Sequence, residues 1–246
     1  MKKSLRCTVF FLTMGLTAVS VPALDFHLWE LQEPRGTTQR DPRIISPSQL
    51  SDGSGYADRY FFFDAHDGSW NFLVPQTGST TRHSQHVRCE LRQMTIQGAP
   101  AAWKLTNAPS LQLSGMVVKL GGGPHGHTTI AQIFDATLGK PLGEVEFKST
   151  GPAGHGQLVL FFRQNDGAHF YLLAHAYRNQ RYTLSLRIEQ NTLVVGAEKT
   201  LKTFAIDPVF ANDRFYYKAG NYDQTTHRGP PGPLYTQVKI FALAVK

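Results

Sequence analysis

The sequence predicts an all-β protein, a two-sheet antiparallel sandwich of jelly-roll type, on three observations. Beyond residue 24 no stretch sustains an apolar period of 3.6 over the length of a helix. The apolar residues fall instead into short runs. Gly, Pro, Asn and Asp stand between those runs, as turn residues do between strands. Many short strands so spaced suit a sandwich, and 246 residues lie within the range of a single all-β domain.

The elements follow in chain order. Residues 45–54 (ISPSQLSDGS) are the one segment expected to hold a short helix or turn. Residues 88–92 (RCELR) alternate charged and apolar side chains, which a strand sorts onto opposite faces. Residues 116–120, 128–134 and 144–148 read as further strands. Residues 158–162 (LVLFF) and 170–175 (FYLLAH) flank Asn165-Asp166-Gly167, a hairpin turn signal. Residues 182–188 (YTLSLRI) and 193–195 flank EQNT, a second hairpin. Residues 216–224 (YYKAGNYDQ) and 238–245 complete the set. No repeat, linker or low-complexity tail interrupts it, so residues 24–246 are expected to form one domain.

The first 23 residues read differently. Lys2, Lys3 and Arg6 precede an apolar run that ends in Val21-Pro22-Ala23, the layout of a cleavable secretory signal peptide. A membrane anchor is the competing reading; the uncharged run from Cys7 to Leu24 is 18 residues and contains a glycine and a proline. Cleavage after Ala23 removes three cations and no acids, taking the formal charge from +7 to +4. A mildly basic exported protein is expected, in the periplasm or the medium, free of the membrane once processed and favouring a polyanionic partner. Cys7 leaves with the signal, so Cys89 has no intramolecular partner and is expected to be a buried small hydrophobe.

Three segments carry candidate chemistry. In 88–92, alternation sets Arg88, Glu90 and Arg92 on one face and Cys89 and Leu91 on the other. In 131–134 (AQIF) it sets Gln132 beside Phe134. In 216–224 it gathers Tyr216, Lys218, Gly220, Tyr222 and Gln224, with Gly220 expected to leave room for a ligand near the backbone. Phenols, an ammonium and amides around a gap suit sugars and carboxylates. A solvated ion-pair ladder and a plain edge strand are the competing structural readings.

Taken in order, RCELR, QIF and YYKAGNYDQ resemble the signatures R-(S/T)-E-L-R, Q-(I/V)-H and Y-F-K-A-G-x-Y-x-Q of the alginate lyases of polysaccharide lyase family 7. HLWELQEP, residues 27–34, also resembles that family's opening. The resemblance covers nearly all of residues 25–245. It implies a concanavalin-like β-jelly roll whose concave sheet forms a cleft for a uronic-acid polymer. It further implies β-elimination at a 4-linked uronate. Separately, no cofactor, no metal and a monomer are expected. Carried over by position, Arg88 and Gln132 match the carboxylate-binding residues and Tyr222 the catalytic tyrosine. Glu90, Arg92, Lys218 and Gln224 match residues that shape the cleft or hold substrate.

One position departs from the pattern: the signature histidine is Phe134 here. Three explanations stand. Tyr222 could act alone by syn elimination on mannuronate or glucuronate, where H5 and O4 share a side of the ring. An ordinary phenol is a poor base near neutrality, and a neighbouring cation would favour phenolate. Second, another histidine could substitute, among His83, His86, His125 and His127: His86 shares alternation parity with Arg88 and is preferred, and a bulge would have to turn His127 toward Gln132. Third, Phe134 could stack on sugar in a protein that binds without cleaving. The leading expectation is a lyase for alginate or a glucuronan-like polymer, mannuronate-rich alginate favoured, although Ile133 is associated in the family with guluronate. His125 and His127 form a His-x-His pair without a third ligand in the sequence. No clustered basic and aromatic strip points to nucleic acid.

Overall fold

The computed structural model describes residues 24–246 other than 53–54 and 152–153. The expected signal peptide, residues 1–23, lies outside the described residues. The chain begins with β1 (Trp29–Thr38) and β2 (Asp41–Ile45), then α1 (Pro47–Ser51), β3 (Phe61–Asp64), β4 (Ser69–Pro75), β5 (Thr77–Gly78) and β6 (Arg88–Gln93). It continues through β7 (Leu111–Lys119), β8 (His127–Asp135), β9 (Lys140–Ser149), β10 (His155–Gln164) and β11 (Gly167–Tyr177). It ends with β12 (Tyr182–Glu189), β13 (Thr192–Ala197), β14 (Thr200–Ala205), β15 (Phe215–Asp223), β16 (His227–Arg228) and β17 (Leu234–Val245).

Two antiparallel sheets result, as the sequence predicts. One has the order β11-β10-β9-β8-β15-β6-β1-β2 and the other β14-β13-β12-β7-β17-β4-β3. The expected helix is α1: Ser46 caps it, accepting from the Gln49 amide at 3.3 Å, while the Gln49 side chain accepts from the Ser46 amide at 2.9 Å. Pro47 sits in the first turn, where a missing N–H costs nothing. Both predicted hairpins form. β10 and β11 close over Asn165 and Asp166, and β12 and β13 over Gln190 and Asn191, both at positive φ.

The inner faces make the core, and period-2 alternation decides which residues enter it. Cys89 and Leu91 of β6, Ala131 and Ile133 of β8, Val145 and Phe147 of β9, and Tyr217 and Ala219 of β15 all pack there. Phe61, Phe72, Leu113, Leu186 and Val238 meet them from the other sheet. Burying each large side chain contributes about 1.5–3 kcal/mol before conformational entropy is charged against it. Cys89 is free and fully buried, and burial pushes its thiol well up, consistent with a packing role.

Strand β15 is also fixed by buried polar groups on its inner face. Asn221 donates to the carbonyls of Phe72 at 2.9 Å and Thr236 at 3.2 Å, both on the opposite sheet, and accepts from Thr128 at 2.8 Å. Asp223 accepts from the Thr225 amide at 2.7 Å and from the Thr236 hydroxyl. Each buried polar atom thus finds a partner, and the strand cannot slip without breaking several such bonds. That fixes where its outer face presents Tyr216, Lys218 and Tyr222.

Candidate active site

The outer face of the eight-stranded sheet holds a cavity of about 430 Å³ over its middle strands. Register explains which side chains meet there. Lys218 of β15 lies opposite Arg92 of β6 on one side and Gln132 of β8 on the other, and Gln132 lies opposite Glu144 of β9. Four residues along, Tyr222 lies opposite Arg88. Arg88, Gln132, Phe134, Lys218, Tyr222 and Gln224 all line the cavity. Distant in sequence, they converge because three neighbouring strands turn the same parity outward.

Glu90 organises the cations. Its Oε2 is 3.2 Å from Arg88 Nη1 and 3.2 Å from Lys218 Nζ, while its Oε1 accepts from the Gln132 amide. All four side chains are buried. Burial pushes the Lys218 ammonium down to about 8, with Glu90 opposing that fall and Arg88 adding to it. Arg88 Nε is buried without a hydrogen-bond partner among the described residues. Arg92 pairs instead with Glu30 at 3.3 Å and lies over the ring of Tyr216 at 4.5 Å, beside the cavity rather than in its lining. Burial raises Tyr216, and Arg92 works against that rise.

Tyr222 is held at two points. The Arg88 guanidinium lies 3.8 Å from its ring centroid, and its hydroxyl is 2.9 Å from Ser84 Oγ. Ser84 Oγ gives its own hydrogen to the His86 carbonyl at 3.0 Å, so the phenol is the donor in the Tyr222–Ser84 bond. Gln224 donates to Thr129 at 3.1 Å. Phe134 tilts against Tyr216 with centroids 5.2 Å apart, and Lys218 Nζ lies 4.8 Å from its ring centre.

The histidines sort as follows. His83 lines the cavity and His86 does not. The His86 ring is 6.3 Å from the Tyr222 ring, edge on, and its Nδ1 is 2.9 Å from the Thr226 carbonyl. A bulge in β8 between Thr129 and Ala131 does reverse the parity of His127, which comes opposite Lys148, but His127 remains outside the cavity lining. The described residues contain no cluster of three or more His, Cys, Asp or Glu fit to hold a metal.

Gly220 requires a correction. Room for a ligand was its expected use, yet it is absent from the lining and its φ is 146°. A Cβ there would stand 2.7 Å from the Cys89 carbonyl oxygen and 2.9 Å from Glu90 Cα. The glycine serves close strand packing at the bulge of β15 between Ala219 and Tyr222.

Glu144 and Ser84 are cavity residues that sequence reasoning missed. Glu144 carried a usable signal: in GEVEF, as in RCELR, the acids alternate with core residues. Burial, then the charges of Glu146 and Glu90, push the Glu144 carboxyl up to about 8.

A family model described as alginate lyase matches residues 24–246. No curated protein matches by sequence. Among solved structures, an alginate lyase from Pseudomonas aeruginosa is 25% identical with a TM-score of 0.79, over 91% of this chain and 99% of that one. A variant of the family-7 alginate lyase A1-II′ in complex with a GGMG substrate is 26% identical with a TM-score of 0.76, over 91% and 94%. An alginate lyase from Klebsiella pneumoniae shares the fold, with a TM-score of 0.77 at 17% identity over 92% and 98%.

Proposed function

The chain belongs to the alginate lyase family, polysaccharide lyase family 7, and on that premise we propose that its cavity cleaves 4-linked uronic-acid polymers by β-elimination, mannuronate-rich alginate foremost. It is a polysaccharide lyase. The observation that carries the substrate reading is the convergence of Arg88, Gln132 and Lys218 on one cavity with the hydroxyl-bearing Tyr222. The relative A1-II′, an alginate lyase solved in complex with a substrate, GGMG, supports a uronate chain as the ligand.

The reaction breaks C5–H and C4–O4, forms a C4=C5 double bond, and delivers a proton to the departing O4. Charge accumulates on the C6 carboxylate as the C5 proton leaves. Stabilising that charge with fixed donors is the largest service the site can give. Arg88 and Gln132 serve this purpose, held in place by Glu90, which also neutralises part of the Arg88 and Lys218 charge. Tyr222, as phenolate, takes the C5 proton as base and then, as acid, delivers a proton to the departing O4. Its hydroxyl is 2.9 Å from Ser84 Oγ, and exchanging that partner for the substrate would bring it to O4. Lys218 and Gln224 line the same cavity and bind the chain beside the cut.

A single tyrosine suits sugars in which H5 and O4 lie on one side of the ring, so mannuronate and glucuronate come before guluronate. Phe134, with no proton to exchange, supports this order. The test is the ultraviolet absorbance of the unsaturated product on polymannuronate, polyguluronate and glucuronan separately. A rise on polymannuronate, smaller on polyguluronate, is expected. A rise on polyguluronate alone would overturn the tyrosine-only mechanism. Cleavage of residues 1–23 on export belongs to the same proposal, and the N-terminus of the exported protein would report it.

A further inference from the structure

We propose that Glu144, in its neutral form, is a third ligand of the substrate carboxylate, standing beside Gln132 and Arg88 and doing by hydrogen bonding what Phe134 cannot. This rests on the elimination reading above.

Glu144 lines the same cavity as Arg88, Gln132 and Tyr222, and it lies directly opposite Gln132 across the β8–β9 pair. Neighbouring strands are about 4.8 Å apart, so one small anion can span both side chains. Glu144 is 8% exposed, yet among the described residues its carboxyl makes no hydrogen bond or ion pair. A buried carboxyl without a protein partner, open only to a cavity, is a group whose partner is the ligand.

The charges around it select the neutral form. From β9 itself it faces Glu146, from β6 Glu90 and Arg88, from β15 Lys218, from β8 the uncharged Gln132, and from β10 Phe161. Glu146 is offset by Lys148 at 3.0 Å. Arg88 and Lys218 against Glu90, with Lys140 also lining the cavity, leave a net positive charge, which an anionic uronate chain matches. An ionised Glu144 would lower that charge and repel the substrate carboxylate beside it. Burial and the two neighbouring acids hold the carboxyl up at about 8, so it keeps its proton at neutral pH. A neutral acid can donate to the substrate carboxylate, and that bond strengthens as elimination adds charge to the oxygen.

Lys218, held down at about 8, also loses charge in this range, so the test must separate the two. It compares wild type, Glu144→Gln and Glu144→Leu for kcat/KM on polymannuronate from about pH 6 to about pH 9.5. Binding of saturated mannuronate oligomers is measured in the Tyr222→Phe background, where it does not depend on turnover. Glu144→Leu is expected to lose roughly ten- to a hundredfold in kcat/KM at neutral pH, mostly in kcat. Glu144→Gln keeps a donor without an ionisable proton, so it should lose less than the leucine variant. Its alkaline decline should also be shallower than that of wild type, in turnover and in binding.

If Glu144→Gln shows the wild-type alkaline limb, that limb belongs to Lys218 and the proposal fails. Neutral-pH kcat/KM equal to wild type in both variants would equally overturn it. Should the leucine variant not fold, as judged by circular dichroism, the glutamine profile alone decides. Wild type that binds but never cleaves would instead defeat the elimination reading, and the pH dependence of binding would still judge Glu144.

Discussion

At the scale of the residue, Tyr222 is the group on which the proposed chemistry turns. Tyr222→Phe keeps the ring under the Arg88 guanidinium and removes only the hydroxyl that reaches Ser84. Turnover should therefore fall by about a hundredfold or more while oligosaccharide affinity changes little. Steady-state kinetics beside equilibrium binding checks this, and persistent turnover would mean another group carries the proton. Phe134→His tests the opposite wall. Its ring would enter a place 4.8 Å from Lys218 and 5.2 Å from Tyr216, restoring a proton-exchanging group to the cavity. Activity on polyguluronate should rise relative to polymannuronate, and an unchanged ratio would remove Phe134 from the account of specificity. These residues were legible in the sequence because a regular strand has a period of two: Arg88, Glu90, Lys218 and Tyr222 face where counting puts them. His127 was not, because the bulge between Thr129 and Ala131 inserts one residue and no local pattern announces it. Glu144 was missed for another reason. Its strand has the right alternation, but nothing in a single strand says that its outer face borders a cavity.

At the scale of the element, β15 joins the core to the site, and its bulge is where the two demands meet. Ala219 lies opposite Ala131 and Tyr222 opposite Thr129, so β15 spends one residue more than β8 over this stretch. Gly220 absorbs it at φ 146°, with Cβ space closed by the Cys89 carbonyl, Glu90 Cα and Phe72. Gly220→Ala should cost roughly 2–4 kcal/mol, combining a strained φ with a backbone clash. It should also misplace Tyr222 against Arg88. Urea denaturation with kinetics on the same variant checks both, and an unchanged midpoint would show that the bulge relaxes freely. Sequence reasoning found strands with clean apolar runs, such as β10 to β13, and strands of clear alternation, such as β6 and β15, but it did not name the apolar β3 and β4. It did not find β1 and β2 as strands, because charged residues and the Pro34 and Gly36 breaks mask their pairing with each other and with β6. Their order comes from long-range register, which a single sequence does not display.

At the scale of the whole molecule, the sandwich encloses several acids whose burial outweighs the cations near them, and this sets how its stability should depend on pH. Burial pushes Glu33 up to about 7, with Asp58 adding to the rise. Burial pushes Asp135 up to about 6 and Glu144 up to about 8. The ordinary values of these carboxyls are near 4, so between about pH 4 and each raised value the native state binds protons that the unfolded chain has lost. Each group therefore contributes stability that is complete below its unfolded value and is lost as pH rises through 6, 7 and 8 in turn. Lys218 acts later and in the opposite sense. Its folded value near 8 lies below the ordinary 10.5, so native protein releases that proton first and stability recovers some ground above pH 8. Exposed acids with lowered values, Asp64, Asp67 and Asp166, are screened by solvent and weigh little against the buried set. The melting temperature should thus be higher near about pH 5.5 than near about pH 8, by an amount on the order of a few kcal/mol in unfolding free energy. Glu33→Gln combined with Glu144→Gln should flatten that slope, since neither amide titrates. Calorimetry at matched ionic strength decides it: a wild-type melting temperature that is flat or rises toward pH 8 would mean these carboxyls are ionised in the native protein. It would also withdraw the neutral Glu144 on which the carboxylate contact depends.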